Sequence, residues 1–288
     1  MNTDCLRRFL FENSRIRGFL VSIDETFRTA IERHAYPEPV RNLVGEALSA
    51  TALLAATIKF DGSLALRVQS DGPVHLLVNQ ISGDRSLRGL ARWRGDVAPG
   101  PLPALTGAGH LSMTIDTGPG QDRYQGIVEL EGSTLAAAVD TYFARSEQLP
   151  TRLWLASGPS RAAGILLQAL PGADAADLES WRRVVMITET ITPGELLELD
   201  GEDVLRRLFQ AEAVRLFAPA PLRFECSCSR QTIEALLRAF GREEAEAIVR
   251  EEGGVHATCE FCNRRFDLDA VDVAAVFDAN VGGTSMPQ

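Results

Sequence analysis

Four of the chain's five cysteines fall near its C-terminus, in FECSCSR and, thirty residues after the second of them, in ATCEFCNRR. No other feature limits the fold as strongly. A C-x-C and a distant C-x-x-C bring four thiolates from two short turns, Cys226, Cys228, Cys259 and Cys262. That set meets the closed tetrahedral demand of a structural Zn²⁺ with no ligand left to find. His256, three residues before Cys259, is not needed as a ligand and reads as a strand residue. The surrounding unit of about 65 residues has a small core, and units of that size commonly need a staple.

The same spacing has a second consequence. A metal ties one turn to the other across the thirty-residue spacer, and structural zinc contributes on the order of 10–16 kcal/mol of apparent binding energy. Thiolates are also the form that oxidants attack. If they are oxidised, the nearest partners in sequence are Cys226 with Cys228 and Cys259 with Cys262. Those bridges close tiny loops, gain little chain entropy and no longer connect the two turns. Spacing alone is therefore compatible with a permanent structural metal and with a reversible unfolding switch.

The composition is that of a globular chain, 45% hydrophobic and 24% charged. MNTDCLRRFLFENSRIRG lacks the clean apolar run of a signal peptide, because Asp4, Arg7 and Arg8 interrupt it. The longest apolar stretch, Leu48 to Ile58, is too short to span a bilayer. A cytoplasmic protein without a membrane partner is expected, and reducing conditions there favour metal-bound or redox-active cysteines over permanent disulfides. The net charge of −10 argues against a nucleic-acid partner. From Leu222 to Gln288 seven Arg and no Lys face twelve Asp plus Glu, the reverse of a nucleic-acid reader's balance.

Along the chain, residues 1–174 read as one mixed unit. A strand is expected over Ile16–Ile23, then a helix that Asp24 can cap. Helically spaced Val40, Leu43, Val44, Ala47, Leu48, Leu54, Ala55 and Ile58 predict a long buried helix from Glu38 to Lys59. SLALRVQ and VHLLVNQ flank Ser-Asp-Gly-Pro as a hairpin. LRGLARW, HLSMTID, QGIVELE, TRLWLAS and AGILLQAL read as further strands, and STLAAAVDTYFARSEQL as a helix with a cap-capable Ser133. Residues 175–224 carry short helical segments broken at Pro193-Gly194 and Asp200-Gly201, a linker that folds by lying on a neighbour. Residues 225–288 form the cysteine-bearing unit, with a helix capped by Ser229, a second ending at Gly253-Gly254, two short strands around a knuckle, and a helix capped by Asp269. Helices and strands do not alternate regularly, so the fold class is α+β: a large N-terminal mixed core domain, a helical linker and a small C-terminal zinc-binding domain.

Taken together, these stretches resemble the heat shock protein 33 family of redox-regulated chaperones. The likeness runs through RRFLFENSRIRG, VGEALSATALLAATIKFDGSLALRVQSDGPVHLLV, DRYQGIVELEGSTLAAAVDTYFARSEQLPTRLWLA and LLELDGEDVLRRLF to the CSCSR and TCEFCNRRF that match the family's zinc signature. The resemblance implies an ATP-independent holdase of the bacterial cytosol. Its reduced form is a monomer with one zinc on Cys226, Cys228, Cys259 and Cys262. Oxidation releases the metal and forms the disulfides Cys226–Cys228 and Cys259–Cys262. The C-terminal domain and the linker then unfold, and the protein dimerises and holds unfolding client proteins. The tail VGGTSMPQ and Cys5 belong to none of these motifs.

Two other readings compete. A plain zinc module could dock a partner or RNA through Asn263, Arg264 and Arg265, although the acidic surroundings favour a solvated face. A thiol–disulfide oxidoreductase would need the βαβ context of a thioredoxin-like site, which is absent. There is no G-x-x-x-x-G-K-[ST] or G-x-S-x-G. Gly107-Ala108-Gly109 is too short for a nucleotide site, and His34, His75 and His110 are scattered. No catalytic residue is assigned, and an enzyme is not expected.

Overall fold

The computed structural model describes residues 4–118, 122–146, 149–172 and 174–278. The expected tail at 281–288 and the last residues expected of the 133–149 helix, 147 and 148, lie outside them. The chain divides into two compact units between Glu225 and Cys226.

In the larger unit, β1 (Cys5–Phe11) and β2 (Ile16–Ile23) form a hairpin, followed by α1 (Glu25–Ile31) and α2 (Glu38–Ala55). β3 (Ser63–Ser70), β4 (Val74–Ser82) and β5 (Ser86–Trp93) make a meander; α3 (Leu102–Thr106), β6 (Gly109–Asp116), β7 (Tyr124–Glu129) and α4 (Leu135–Ser146) follow. β8 (Thr151–Ser157) and β9 (Ala162–Ala169) precede three helices, α5 (Ala175–Thr188), α6 (Pro193–Glu198) and α7 (Gly201–Phe209). The unit closes with short strands, β10 (Val214–Leu216), β11 (Ala220–Pro221) and β12 (Arg223–Phe224). One sheet runs β10-β1-β2-β9-β8, with β11 also on β1; the other runs β12-β5-β4-β3-β6-β7. All pairings are antiparallel except β12 with β5. The mixed, non-alternating α+β class is borne out.

α2 packs against strands of both sheets, so its apolar spacing buries nearly all round: Val40, Leu43, Val44, Ala47, Leu48, Leu53 and Leu54 belong to one cluster with Phe27, Leu66, Leu77 and Leu166. It stops at Ala55 rather than Lys59. The Thr57 hydroxyl donates to the Leu54 carbonyl at 2.8 Å, so an orphan carbonyl of the last turn finds its partner early, and Arg17 donates to the Thr57 carbonyl just beyond the helix at 2.9 Å. α1 is also capped differently from the expectation. Asp24 makes no capping bond; the buried Asp4 carboxylate accepts the N–H groups of Asp24, Glu25 and Thr26 at 2.5, 3.1 and 2.5 Å. Asp24 instead faces Arg161 at 3.0 Å. For α4 the cap falls one residue after Ser133, at Thr134, whose hydroxyl accepts from the Ala137 N–H.

β9 is buried at all eight residues, because the sheet is covered on both faces. α2 covers one; the other packs Phe9, Phe11, Ile16, Leu20, Ile165 and Leu167 against Val184 of α5, Leu196 of α6 and Val204, Leu205, Leu208 and Phe209 of α7. Phe9, Phe11 and Phe209 form an aromatic triad with centroid separations of 4.9–6.0 Å. Gly18 is required under Phe9, since a Cβ there would come within 2.0 Å of the ring. α5 and α6 open on capping boxes at Asp174 and Thr192, and Asp200 caps α7. The Pro-Gly and Asp-Gly breaks are thus helix starts. β10–β12 have no counterpart in the sequence reading.

The smaller unit contains α8 (Arg230–Phe240), α9 (Arg242–Glu252), the antiparallel pair β13 (Val255–Thr258) and β14 (Arg265–Leu268), and α10 (Ala270–Asp278). Ser229 caps α8, Gly253 ends α9 with a left-handed φ of 78°, and Asp269 accepts the Asp272 N–H at 2.8 Å, all as the sequence indicates. Among the described residues, no helix is long and apolar enough to cross a membrane.

Candidate metal centre

The four cysteines converge inside the smaller unit. Cys226 and Cys228 lie in the turn before α8, and Cys259 and Cys262 in the knuckle between β13 and β14. The knuckle closes on itself: the Cys259 N–H donates to the Arg264 carbonyl at 2.9 Å and the Asn263 N–H to the Cys259 carbonyl at 2.8 Å. Asn263 takes the left-handed backbone, φ 52°, that Asn tolerates better than most residues. The β13–β14 register, with Thr258 opposite Arg265, sets the two ends of the knuckle side by side.

All four sulfurs lie within 4.8 Å of one another. The short contacts run between the turns, Cys226 to Cys259 at 3.5 Å and Cys228 to Cys262 at 3.3 Å. A tetrahedron of thiolates with Zn–S of about 2.3 Å has sulfur–sulfur edges of about 3.8 Å, so the cluster has the dimensions of a four-thiolate metal site. Cys262 is buried and the other three are half-buried. Burial, followed by the sulfur contacts to Cys262, Cys226 and Cys259, raises the Cys228 thiol well above its ordinary pKa. The Cys228 thiol thus resists ionisation by itself, and a bound divalent cation would reverse that balance by favouring the thiolate. These four cysteines could hold a metal ion.

His256 lies on β13 with its Nδ1 2.7 Å from Asp267 Oδ1, across the hairpin, and is not one of the clustered donors. Cys5 lies in β1 of the larger unit. His34 stacks on Tyr36 at 4.9 Å, His75 is in β4 and His110 in β6, so the histidines form no group. Asp4 is the role that sequence reasoning missed: it sits twenty residues or more from the amides it caps, and no local pattern announces such a bond.

The Hsp33 protein family model matches residues 4–269 of the chain. A 33 kDa chaperonin of Nitrosococcus oceani is 49% identical over 280 residues, 97% of this chain and 96% of that one. A second, from Azotobacter vinelandii, is 47% identical, with coverages of 99% and 97%. The crystal structure of the 33 kDa chaperonin of Thermotoga maritima superposes with a TM-score of 0.83 over 96% of this chain and 99% of that one; at 22% identity the likeness is one of fold. These matches place the chain in the chaperone class. It belongs to the Hsp33 family.

Proposed function

We propose that the chain is a redox-regulated, ATP-independent holdase whose switch is the four-cysteine centre. In the reduced state Cys226, Cys228, Cys259 and Cys262 hold one Zn²⁺, which ties the turn before α8 to the knuckle and holds the sulfurs as thiolates. Oxidation pairs Cys226 with Cys228 and Cys259 with Cys262. Each pair gives up two electrons, so two molecules of peroxide are reduced to water per chain, and the metal loses its ligands. Residues 225–288 then lack their long-range tie and unfold, and residues 175–224 leave the first sheet. The apolar face around Phe9, Phe11, Ile16, Leu20 and Leu167 becomes available to unfolding clients, and the oxidised chains pair as dimers in the cytoplasm.

The observation that carries this reading is the convergence of four sulfurs, from turns thirty residues apart, in a unit with a small apolar cluster of its own. The test compares metal-loaded reduced protein with peroxide-treated protein in suppressing light scattering from a heat-unfolding client, with zinc release followed by a chromogenic chelator. Protection that begins only when zinc leaves, and cysteine oxidation that a reductant reverses, is the expected result. Zinc retained through oxidation, with neither sample protecting the client, would reduce the centre to a permanent staple.

A further inference from the structure

The larger unit carries a pocket of about 310 Å³ between the first hairpin, the C-terminal end of α2 and the β4–β5 turn. Its apolar surface includes Leu6, Phe19, Ala55, Ile58, Phe60 and Leu222. Ile58 is 37% exposed, although it follows directly on a helix that is buried nearly throughout. Three exposed cations also line the pocket, Arg8, Lys59 and Arg85.

Those cations are unusual for this chain, whose net charge is −10. Neighbouring arginines are neutralised: Arg215 by Glu12, Arg161 by Asp24, and Arg223 by Asp84 and Glu225. Among the described residues, no carboxylate lies within ion-pairing distance of Arg8, Lys59 or Arg85. Asp84, next to Arg85 in sequence, is turned to Arg223. The Arg8 guanidinium lies over the Phe217 ring at 5.2 Å, a contact that leaves its charge uncompensated. A fourth cation adds to the field, since burial first and the charge of Arg8 second lower the Arg17 pKa. Arg17 donates to Gln168 and to the Thr57 carbonyl, and so already serves the negative end of α2. The other three are not needed for that task. Arg85 also occupies the left-handed backbone region, φ 66°, which non-glycine residues seldom use, within a turn closed by its N–H to the Ser82 carbonyl at 2.8 Å.

We propose that this pocket binds a small amphiphilic anion, its apolar chain against Leu6, Phe19, Ile58 and Phe60 and its carboxylate or phosphate head held by Arg8, Lys59 and Arg85. Charge-assisted bonds to the head supply orientation and the apolar wall supplies the bulk of the burial. The volume is at the lower end of the roughly 300–1,000 Å³ of small-molecule sites, which suits a short acyl chain and excludes a folded partner.

The test is calorimetric titration of the full-length, reduced, metal-loaded protein with octanoate, octyl phosphate and 1-octanol, which share one chain and differ in the head. One saturable site for an anion is expected, with octanol about tenfold weaker or more. The tighter of the two anions identifies the head. In a Lys59→Gln, Arg85→Gln double variant with an unchanged thermal midpoint, the anion should lose about tenfold or more in affinity. Equal binding of octanol, unchanged binding by the variant, or no saturable binding would overturn the proposal. So would binding only to anionic phospholipid vesicles, which would assign the charges to a surface and not to a pocket.

Discussion

The two units rest on different physics. In the larger one, β9 is covered on both faces and α2 reaches both sheets, so apolar residues from distant parts of the chain bury one another. In the smaller one, three helices and a hairpin share Leu237, Ala245, Val255, Leu268, Val273 and Val276 as their buried apolar set. Phe240 and Val271 there are left 66% and 76% exposed. A unit of that size buries too little to offset its chain entropy comfortably, whereas four convergent sulfurs can add a tie that does not depend on area. The contrast teaches where the proposed switch would act: in the unit with the small apolar set, while the burial of the larger unit draws on none of the four cysteines.

The contrast can be broken most directly by removing the metal proposed for the four cysteines. Chelation under reducing conditions should withdraw on the order of 10 kcal/mol from the smaller unit alone. Hydrogen exchange should then show amides of 230–278 losing protection while those of β2 and β9 keep theirs; joint loss would mean the two units are not independent. Phe9→Ala tests the opposite side. It should cost the larger unit about 3–5 kcal/mol, read as a lower thermal midpoint, with zinc affinity unchanged.

Glu46 gives a smaller, pH-dependent effect. Burial raises its carboxyl to about 7, so the folded chain keeps a proton that the unfolded chain loses near its ordinary pKa. The associated stability is complete below pH about 4.5 and is lost as pH rises through about 7. Glu46→Gln should therefore stabilise the larger unit by about 2 kcal/mol at pH 8, allowing for its partial exposure, and by nothing at pH 4. Denaturant titrations at the two pH values check the sign. The smallest effect is expected from Ser229→Ala, which deletes the α8 cap and should cost the smaller unit about 1 kcal/mol. Because α8 begins two residues after Cys228, the metal should mask most of that loss until it is removed.

Legibility followed the range of the interaction. The caps at Ser229 and Asp269, the Gly253 stop and the β3–β4 hairpin are local, and all were readable. The four cysteines were readable because their residue type is rare and their chemistry narrow; their convergence to within 4.8 Å is what the fold adds. Asp4 capping α1 was hidden because its partners lie across a strand pairing. β10–β12 were hidden because strands of two or three residues have no periodicity, and their pairing is decided by the open edges of β1 and β5. The cationic pocket was hidden for the same reason: Arg8, Lys59 and Arg85 are far apart in sequence and alike only in what they lack.

The order of strands in the first sheet has a consequence for synthesis. β2 is completed at Ile23, but its partner β9 begins at Ala162. At about 5–20 residues per second, the ribosome needs roughly 7–28 s to supply it. β3, β4 and β5 have pairing partners adjacent in the chain, whereas Phe9 and Leu20 must wait for Ile165 and Leu167 of β9. During each round of translation this chain is itself, briefly, a polypeptide with an unpaired apolar hairpin.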